Sequence, residues 1–166
     1  AQSVYAVDVD SDGDIDVLSA TSGGASEIAW YENNGSESFT AHTISSAAGA
    51  QSVYAVDMDN DGDIDVLSAT SSVGSEISWY ENNGSESFTA HTITTSADGA
   101  MSVFAADVDG DGDMDVLSSS QDDDKIAWYE NDGAADPSFT ANTITSSADK
   151  AQNVYAVDVD SDGDID

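Results

Sequence analysis

The sequence predicts an all-β chain of tandem four-stranded antiparallel blades, of the β-propeller type. Three observations carry that prediction. A nine-residue run of alternating aspartates, Asp8 to Asp16, returns as Asp57 to Asp65, Asp107 to Asp115 and Asp158 to Asp166. The strand before each run starts at Ser3, Ser52, Ser102 and Asn153, at spacings of 49, 50 and 51 residues, the range of a four-stranded propeller blade. Between the runs, short segments rich in Val, Ile, Tyr, Trp and Thr alternate with Gly, Asn and Ser, and no useful length shows a helical period.

Each unit offers four strand signals. In the first unit they are Ser3 to Val7, Ile15 to Ala20, Glu27 to Glu32 and Ser38 to Ile44. The aspartate run joins the first two, and a Gly/Ser turn from Thr21 to Ser26 joins the next two. Asn33-Asn34-Gly35 is a strong hairpin signal before the fourth strand. The expected units are 1–49, 50–99 and 100–150, with 151–166 as the first strand and aspartate run of a fourth. Residues 1–16 and 151–166 differ only at Ser3 against Asn153, so the chain reads as a window on a longer array, either processed or partial.

The third strand speaks to packing. Side chains alternate faces along a strand, so Ile28 and Trp30 point one way and Ala29 and Tyr31 the other. Both faces carry apolar bulk, as they do around Trp79 and Trp128, which predicts a sheet covered on both sides by neighbouring blades. Closure into a ring, within a longer chain or an oligomer, and an open superhelical or fibrous stack both satisfy that demand.

The aspartate runs point to a metal. Carboxylates at alternate positions of a tight loop repel one another by roughly 1 kcal/mol per pair even in a water-like dielectric. A hard divalent cation with an oxygen shell is the natural counter-charge, and about one Ca2+ per loop, in a structural role, is expected. The candidate metal-site residues are Asp8, Asp10, Asp12, Asp14 and Asp16; Asp57, Asp59, Asp61, Asp63 and Asp65; Asp107, Asp109, Asp111, Asp113 and Asp115; and Asp158, Asp160, Asp162, Asp164 and Asp166. The seventh position of such loops usually supplies its backbone carbonyl, which leaves the Asp14 carboxylate spare. Glycine at the sixth position permits the sharp turn. An EF-hand loop needs Glu at position 12, where this chain has Ser19, Ser68 and Ser118, and the flanks read as strands.

The run from Ser3 to Ala20 resembles the FG-GAP/VCBS repeat, the blade unit of integrin-α-like β-propellers, which carries D-x-D/N-x-D-G-x-x-D between the first two strands of a blade. The resemblance covers the whole chain. The Phe-Gly and Gly-Ala-Pro signatures are absent, which makes the bacterial-type VCBS branch the closer match. The resemblance implies an extracellular protein with adhesive, ligand-binding or structural modules.

Composition narrows the function further. Of the 166 residues 34 are acidic and two are basic, Lys125 and Lys150, for a formal charge of −32. Twenty of the 34 acids lie in the four aspartate runs, so most of the acidity belongs to those loops and not to a disordered tail. Such a surface rejects nucleic acid and anionic membranes. No apolar run is long enough to span a membrane. Cysteine is absent, and loops that bind calcium at about 0.1–1 mM favour an extracellular home.

No His, Ser or Cys constellation supports catalysis, and no enzyme is expected. His42 and His91 occupy equivalent strand positions where the third unit has Asn142, and they read as half-exposed strand residues. Asn34 and Asn83 match the N-glycosylation pattern, though Asn-Gly is also the hairpin turn itself. Two function classes remain. One is a stem or filament in which neighbouring repeats or further copies of the chain cover the blade faces. The other is an adhesin-like module with a carbohydrate or protein ligand.

Overall fold

The computed structural model describes every residue except Ala25 and Val73. Among the described residues it is all-β. The first unit forms β1 (Ser3–Val7), β2 (Asp16–Thr21), β3 (Glu27–Asn33) and β4 (Phe39–Ser45). The second forms β5 (Ala50–Val56), β6 (Asp65–Thr70), β7 (Ile77–Asn82) and β8 (Phe88–Thr94). The third forms β9 (Ala100–Ala106), β10 (Asp115–Ser120), β11 (Lys125–Asn131) and β12 (Phe139–Thr145). Each unit is one antiparallel four-stranded meander, and the three sheets follow one another as an open stack without closing into a ring. No helix among the described residues is long and apolar enough to cross a membrane.

Register repeats from sheet to sheet. Leu18 stands opposite both Tyr5 and Trp30, Leu67 opposite Tyr54 and Trp79, and Leu117 opposite Phe104 and Trp128. The third and fourth strands pair Asn33 with Phe39, which leaves 34–38 as a five-residue loop rather than a two-residue turn. The loop closes through the Asn34 amide, which donates to the Ser38 carbonyl at 3.1 Å. Ala25, in the expected Gly/Ser turn, lies outside the described residues.

The cores lie between sheets, not within them. Leu18, Ile28 and Trp30 of the first sheet pack with Val53, Ala55, Val66 and Tyr80 of the second. Leu67, Ile77 and Trp79 of the second pack in the same way with Val103, Ala105, Val116 and Tyr129 of the third. The Trp-bearing face of one blade therefore meets the Tyr-bearing face of the next, which the alternation along the third strand predicts. Trp30 and Trp79 are buried essentially completely.

The first strands of the blades lie side by side along the stack: β5 packs on β1 and β2, and β9 on β5 and β6. Their aromatic rings form a column, Tyr5 to Tyr54 to Phe104 to Tyr155, with centroids 4.8, 4.8 and 4.6 Å apart. The Val103 amide donates to Ser52 Oγ at 3.3 Å, and Ser102 Oγ donates to Asn153 Oδ1 at 3.1 Å, so polar bonds also join consecutive units.

The segment from Asn153 to Val157, expected as a fourth first strand, carries no ladder. A strand is defined by its partner, and the partner strand would begin at Asp166, the last residue of the sequence. The Asp166 amide donates to the Val157 carbonyl at 3.1 Å.

Candidate metal centre

Each aspartate run folds into a loop shaped by its own carboxylates. Asp8 Oδ2 accepts the Gly13 amide at 3.0 Å, and the same bond recurs from Gly62 to Asp57, Gly112 to Asp107 and Gly163 to Asp158. Asp10 accepts the Asp12 amide at 3.2 Å, and Asp12 the Asp14 amide at 2.8 Å. The turn needs left-handed backbone twice. Position 6 is always glycine, with φ between 96° and 103°. Position 4 is left-handed as well, at Ser11, Asn60, Gly110 and Ser161. The glycine at 110 is the one sequence hint of that second requirement.

These turns gather carboxylate oxygens. Asp8, Asp10 and Asp16 each present an oxygen within 4.8 Å of the others; so do Asp57, Asp59 and Asp61, then Asp107, Asp109 and Asp115, then Asp158, Asp160 and Asp166. Positions 1 and 3 enter every triad. Position 9 enters three of them, and position 5 enters the second. Position 7 enters none of these groups. Its carboxylates turn toward the loop between the third and fourth strands, where a Cβ on Gly35 would fall 2.4 Å from Asp14 Oδ2, and one on Gly84 2.4 Å from Asp63 Oδ2. Asp113 lies against Gly133 in the same way and accepts the Asn60 side-chain amide at 3.0 Å from the preceding loop.

Position 9 is the anchor. Asp16, Asp65 and Asp115 are buried at the start of the second strand. Asp16 accepts the Val9 amide on Oδ2 at 3.1 Å and the Asn33 amide on Oδ1 at 2.7 Å. Asp65 does the same with Met58 and Asn82, and Asp115 with Val108 and Asn131. The buried indole N–H groups of Trp79 and Trp128 fall short of hydrogen-bond geometry, yet they still favour the charged form of Asp65 and Asp115.

Burial outweighs these donors. It pushes the Asp65 carboxyl up to about 6 and raises Asp115 as well. Asp10 is raised by burial and then by the charges of Asp12, Asp16 and Asp8. Asp59 is raised by burial and then by Asp61, Asp57 and Glu81. A carboxylate held charged against burial and like charge is stabilised by a cation placed among them.

The donor set fits a hard cation. Every gathered ligand atom is a carboxylate oxygen. Asp8 Oδ1 and Asp57 Oδ1 are buried with no hydrogen-bond partner, although their sister oxygens accept the glycine amide. Buried carboxylate oxygens without partners are costly, and a bound ion is the partner their position asks for. The chain's own cations do not supply it: Lys125 pairs with Asp123 at 2.7 Å, and Lys150 is exposed.

The remaining candidates lie elsewhere. His42 stacks on Trp30 with ring centroids 4.7 Å apart and contacts Glu32 at 2.9 Å. His91 repeats this with Trp79 and Glu81. Both sit on strand faces outside the triads, where the register places them directly opposite the indoles. Asn34 and Asn83 are exposed in the five-residue loops, and their side-chain oxygens accept the amides of Ser36 and Ser85.

A sequence model described as FG-GAP-like repeat matches the chain three times, over residues 8–68, 57–118 and 107–166. Each match runs from one aspartate loop through the next, so together they cover nearly the whole chain. No curated protein matches it.

Proposed function

The chain belongs to the FG-GAP-like repeat family, and from that premise we propose that it is an extracellular calcium-binding repeat protein with a structural role, the stem or filament of a larger assembly. The observation that supports it best is the fourfold recurrence of a gathered carboxylate triad on the same aspartate loop. Asp8, Asp10 and Asp16, with Asp12 beside them, would hold the ion in the first loop, and their equivalents would do so in the others. Bound calcium supplies positive charge to a cluster whose members otherwise repel one another. The chain's own residues do the rest. Gly13 and Ser11 turn the backbone, the Val9 and Asn33 amides fix Asp16, and β2 continues directly from that aspartate into the core.

The assembly part of the proposal follows from the stack. Every interior blade face is covered by a neighbouring blade, and repeats of this kind draw stability from that contact. Neighbouring repeats of the same chain or further copies of it are the partners that fit, since they bring the same Tyr- and Trp-bearing faces.

Calcium titration of chelator-treated protein tests the metal. Calorimetry should show about one ion per loop, and the melting temperature should climb through the millimolar range. At a calcium concentration 100 times the dissociation constant, each site adds about 2.7 kcal/mol. No heat and an unmoved melting temperature at low salt would sink the calcium reading. Electron microscopy in millimolar calcium tests the assembly. Filaments with a regular repeat support it, whereas discs with a central hole point to a closed ring and a ligand on its loop face.

A further inference from the structure

The third strand of each blade ends on an asparagine that reads in sequence as the start of a turn. In the structure two of these are among the most buried polar residues of the chain: Asn82 is 3% exposed and Asn131 1%. Each touches two successive loops at once. The Asn82 amide donates to Asp65 Oδ1 at 2.7 Å. Its side-chain Nδ2 donates to the Ile64 carbonyl of its own loop at 3.2 Å and to the Val9 carbonyl of the preceding loop at 3.4 Å. Its Oδ1 accepts the Gly84 amide at 3.2 Å. Asn131 repeats the pattern with Asp115, Met114, Met58 and Gly133 at 2.9, 3.0, 3.1 and 3.0 Å.

The two cross-repeat bonds land on residues whose own amides are already committed. Val9, whose carbonyl receives Asn82, donates its own amide to Asp16. Met58, whose carbonyl receives Asn131, donates its amide to Asp65. A continuous chain of bonds therefore runs from Asp16 through Val9 and Asn82 to Asp65, and on through Met58 and Asn131 to Asp115. It enters the second and third loops at position 9, and it leaves the first and second through the carbonyl at position 2. Asn33 holds the same place in the first blade but makes only the local half, to Asp16 and to the Ile15 carbonyl, and it is half-exposed.

We infer that Asn82 and Asn131 are positioning residues that join the metal loops of consecutive blades in series, so that filling one loop raises the affinity of the next. The inference rests on the calcium reading of the loops. An ion-free loop holds mutually repelling carboxylates, and binding must first order it. Once the first loop is ordered, its Val9 peptide is fixed, and through Asn82 it presets the amide that holds Asp65 in the second. That loop then has less disorder to lose on binding, which is positive coupling without any large movement. Coupling of this kind is reciprocal: filling the second loop favours the first equally.

The test is a calcium titration of the full chain by calorimetry, with three single variants. The wild type should bind with a Hill coefficient above one. Asn82→Ala and Asn131→Ala should flatten the isotherm toward a Hill coefficient of one and raise its midpoint about fivefold or more. Asn33→Ala loses the same local bonds without a cross-repeat one, so it should leave the steepness intact. A fourth variant, Asp8→Asn, disables the first loop without touching any asparagine of the relay. One ion should be lost, and the midpoint of the others should rise in the wild-type background but stay put when Asn82→Ala is added. Should Asn82→Ala fail to fold, the Asp8→Asn arm decides alone: remaining loops of unchanged affinity overturn the relay. A wild-type Hill coefficient of one with calcium bound also overturns it and leaves the calcium reading standing. No binding at all removes that reading and the relay together.

Discussion

Strand β1 and the last five residues of β5 carry the same sequence, Ser-Val-Tyr-Ala-Val, and open the same kind of blade. Val4 in β1 is 67% exposed, and Val53 in β5 is 4% exposed. Their ladders are alike: Val4 pairs with Ser19, and Val53 with Ser68. What differs is the neighbour. β5 lies on β1 and β2 of the preceding blade, and its valine enters a core with Leu18 and Trp30. Four of the five residues return as Val154 to Val157, which touch the third blade through Tyr155 and Phe104 but form no ladder. A blade's ladder hydrogen bonds are thus made within the unit, while its burial is conferred from outside.

The largest effect that would break this comparison is at tryptophan. Trp79 fills the interface between the second and third sheets, and Trp128 is only half-buried at the equivalent place. Trp79→Ala should cost about 3–5 kcal/mol, and Trp128→Ala clearly less, read as shifts in urea midpoint. Equal losses would mean that the Trp anchors its own sheet instead of the interface.

Proton linkage offers a second handle on an interior loop. Burial lifts Asp65 from 3.8 to about 6 in the folded chain. Between those values folding takes up a proton, so ion-free stability is fullest below the lower value and falls as pH rises through about 6. Saturating calcium should reverse the slope, because protons then compete with the ion. Melting temperatures from pH 4 to 7 in chelator should decline, and Asp65→Asn should flatten the decline. A rise in chelator would contradict the burial of that carboxylate.

Smaller effects sharpen the contrast between unit and neighbour. Val53→Ala should cost about 2 kcal/mol, from two lost methylene equivalents and the cavity they leave. Val4→Ala should cost under about 0.5 kcal/mol. Gly35→Ala and Gly84→Ala probe a contact made wholly inside each unit. Both glycines have positive φ, 71° and 68°, and a Cβ on either would fall 2.4 Å from the position-7 carboxylate. Each substitution should therefore cost about the same, on the order of 1 kcal/mol or somewhat more. A clear difference between the two would show that neighbours reach even into this turn.

Much of the fold was legible beforehand because its signals are local. Strand positions follow from alternation and turn residues: in the first unit the observed bounds differ from expectation by at most one residue, while β5 and β9 start two residues before Ser52 and Ser102. The two covered faces follow from Trp30 and Tyr31 standing side by side on one strand. The gathering of carboxylates follows from their spacing around a glycine. Other features were hidden. Ser11 and Asn60 adopt left-handed backbone without being glycine. Asn33, Asn82 and Asn131 look like the first residue of an Asn-Gly turn, and nothing in their own sequence distinguishes the half-exposed copy from the buried ones. The stacking of His42 on Trp30 needed the register across a five-residue loop before the two could be placed opposite each other.

The sequence by itself determined the repeat, its four strands, and four acidic loops with the donor chemistry of a hard cation, because side-chain alternation, turn chemistry and charge spacing act over a few residues. Only the tertiary structure decided that the sheets stack without closing, that Val53 is buried while Val4 is not, and that Asn82 ties one loop to the last. Those outcomes depend on a surface about fifty residues away along the chain, and identical segments cannot encode which of them will find it.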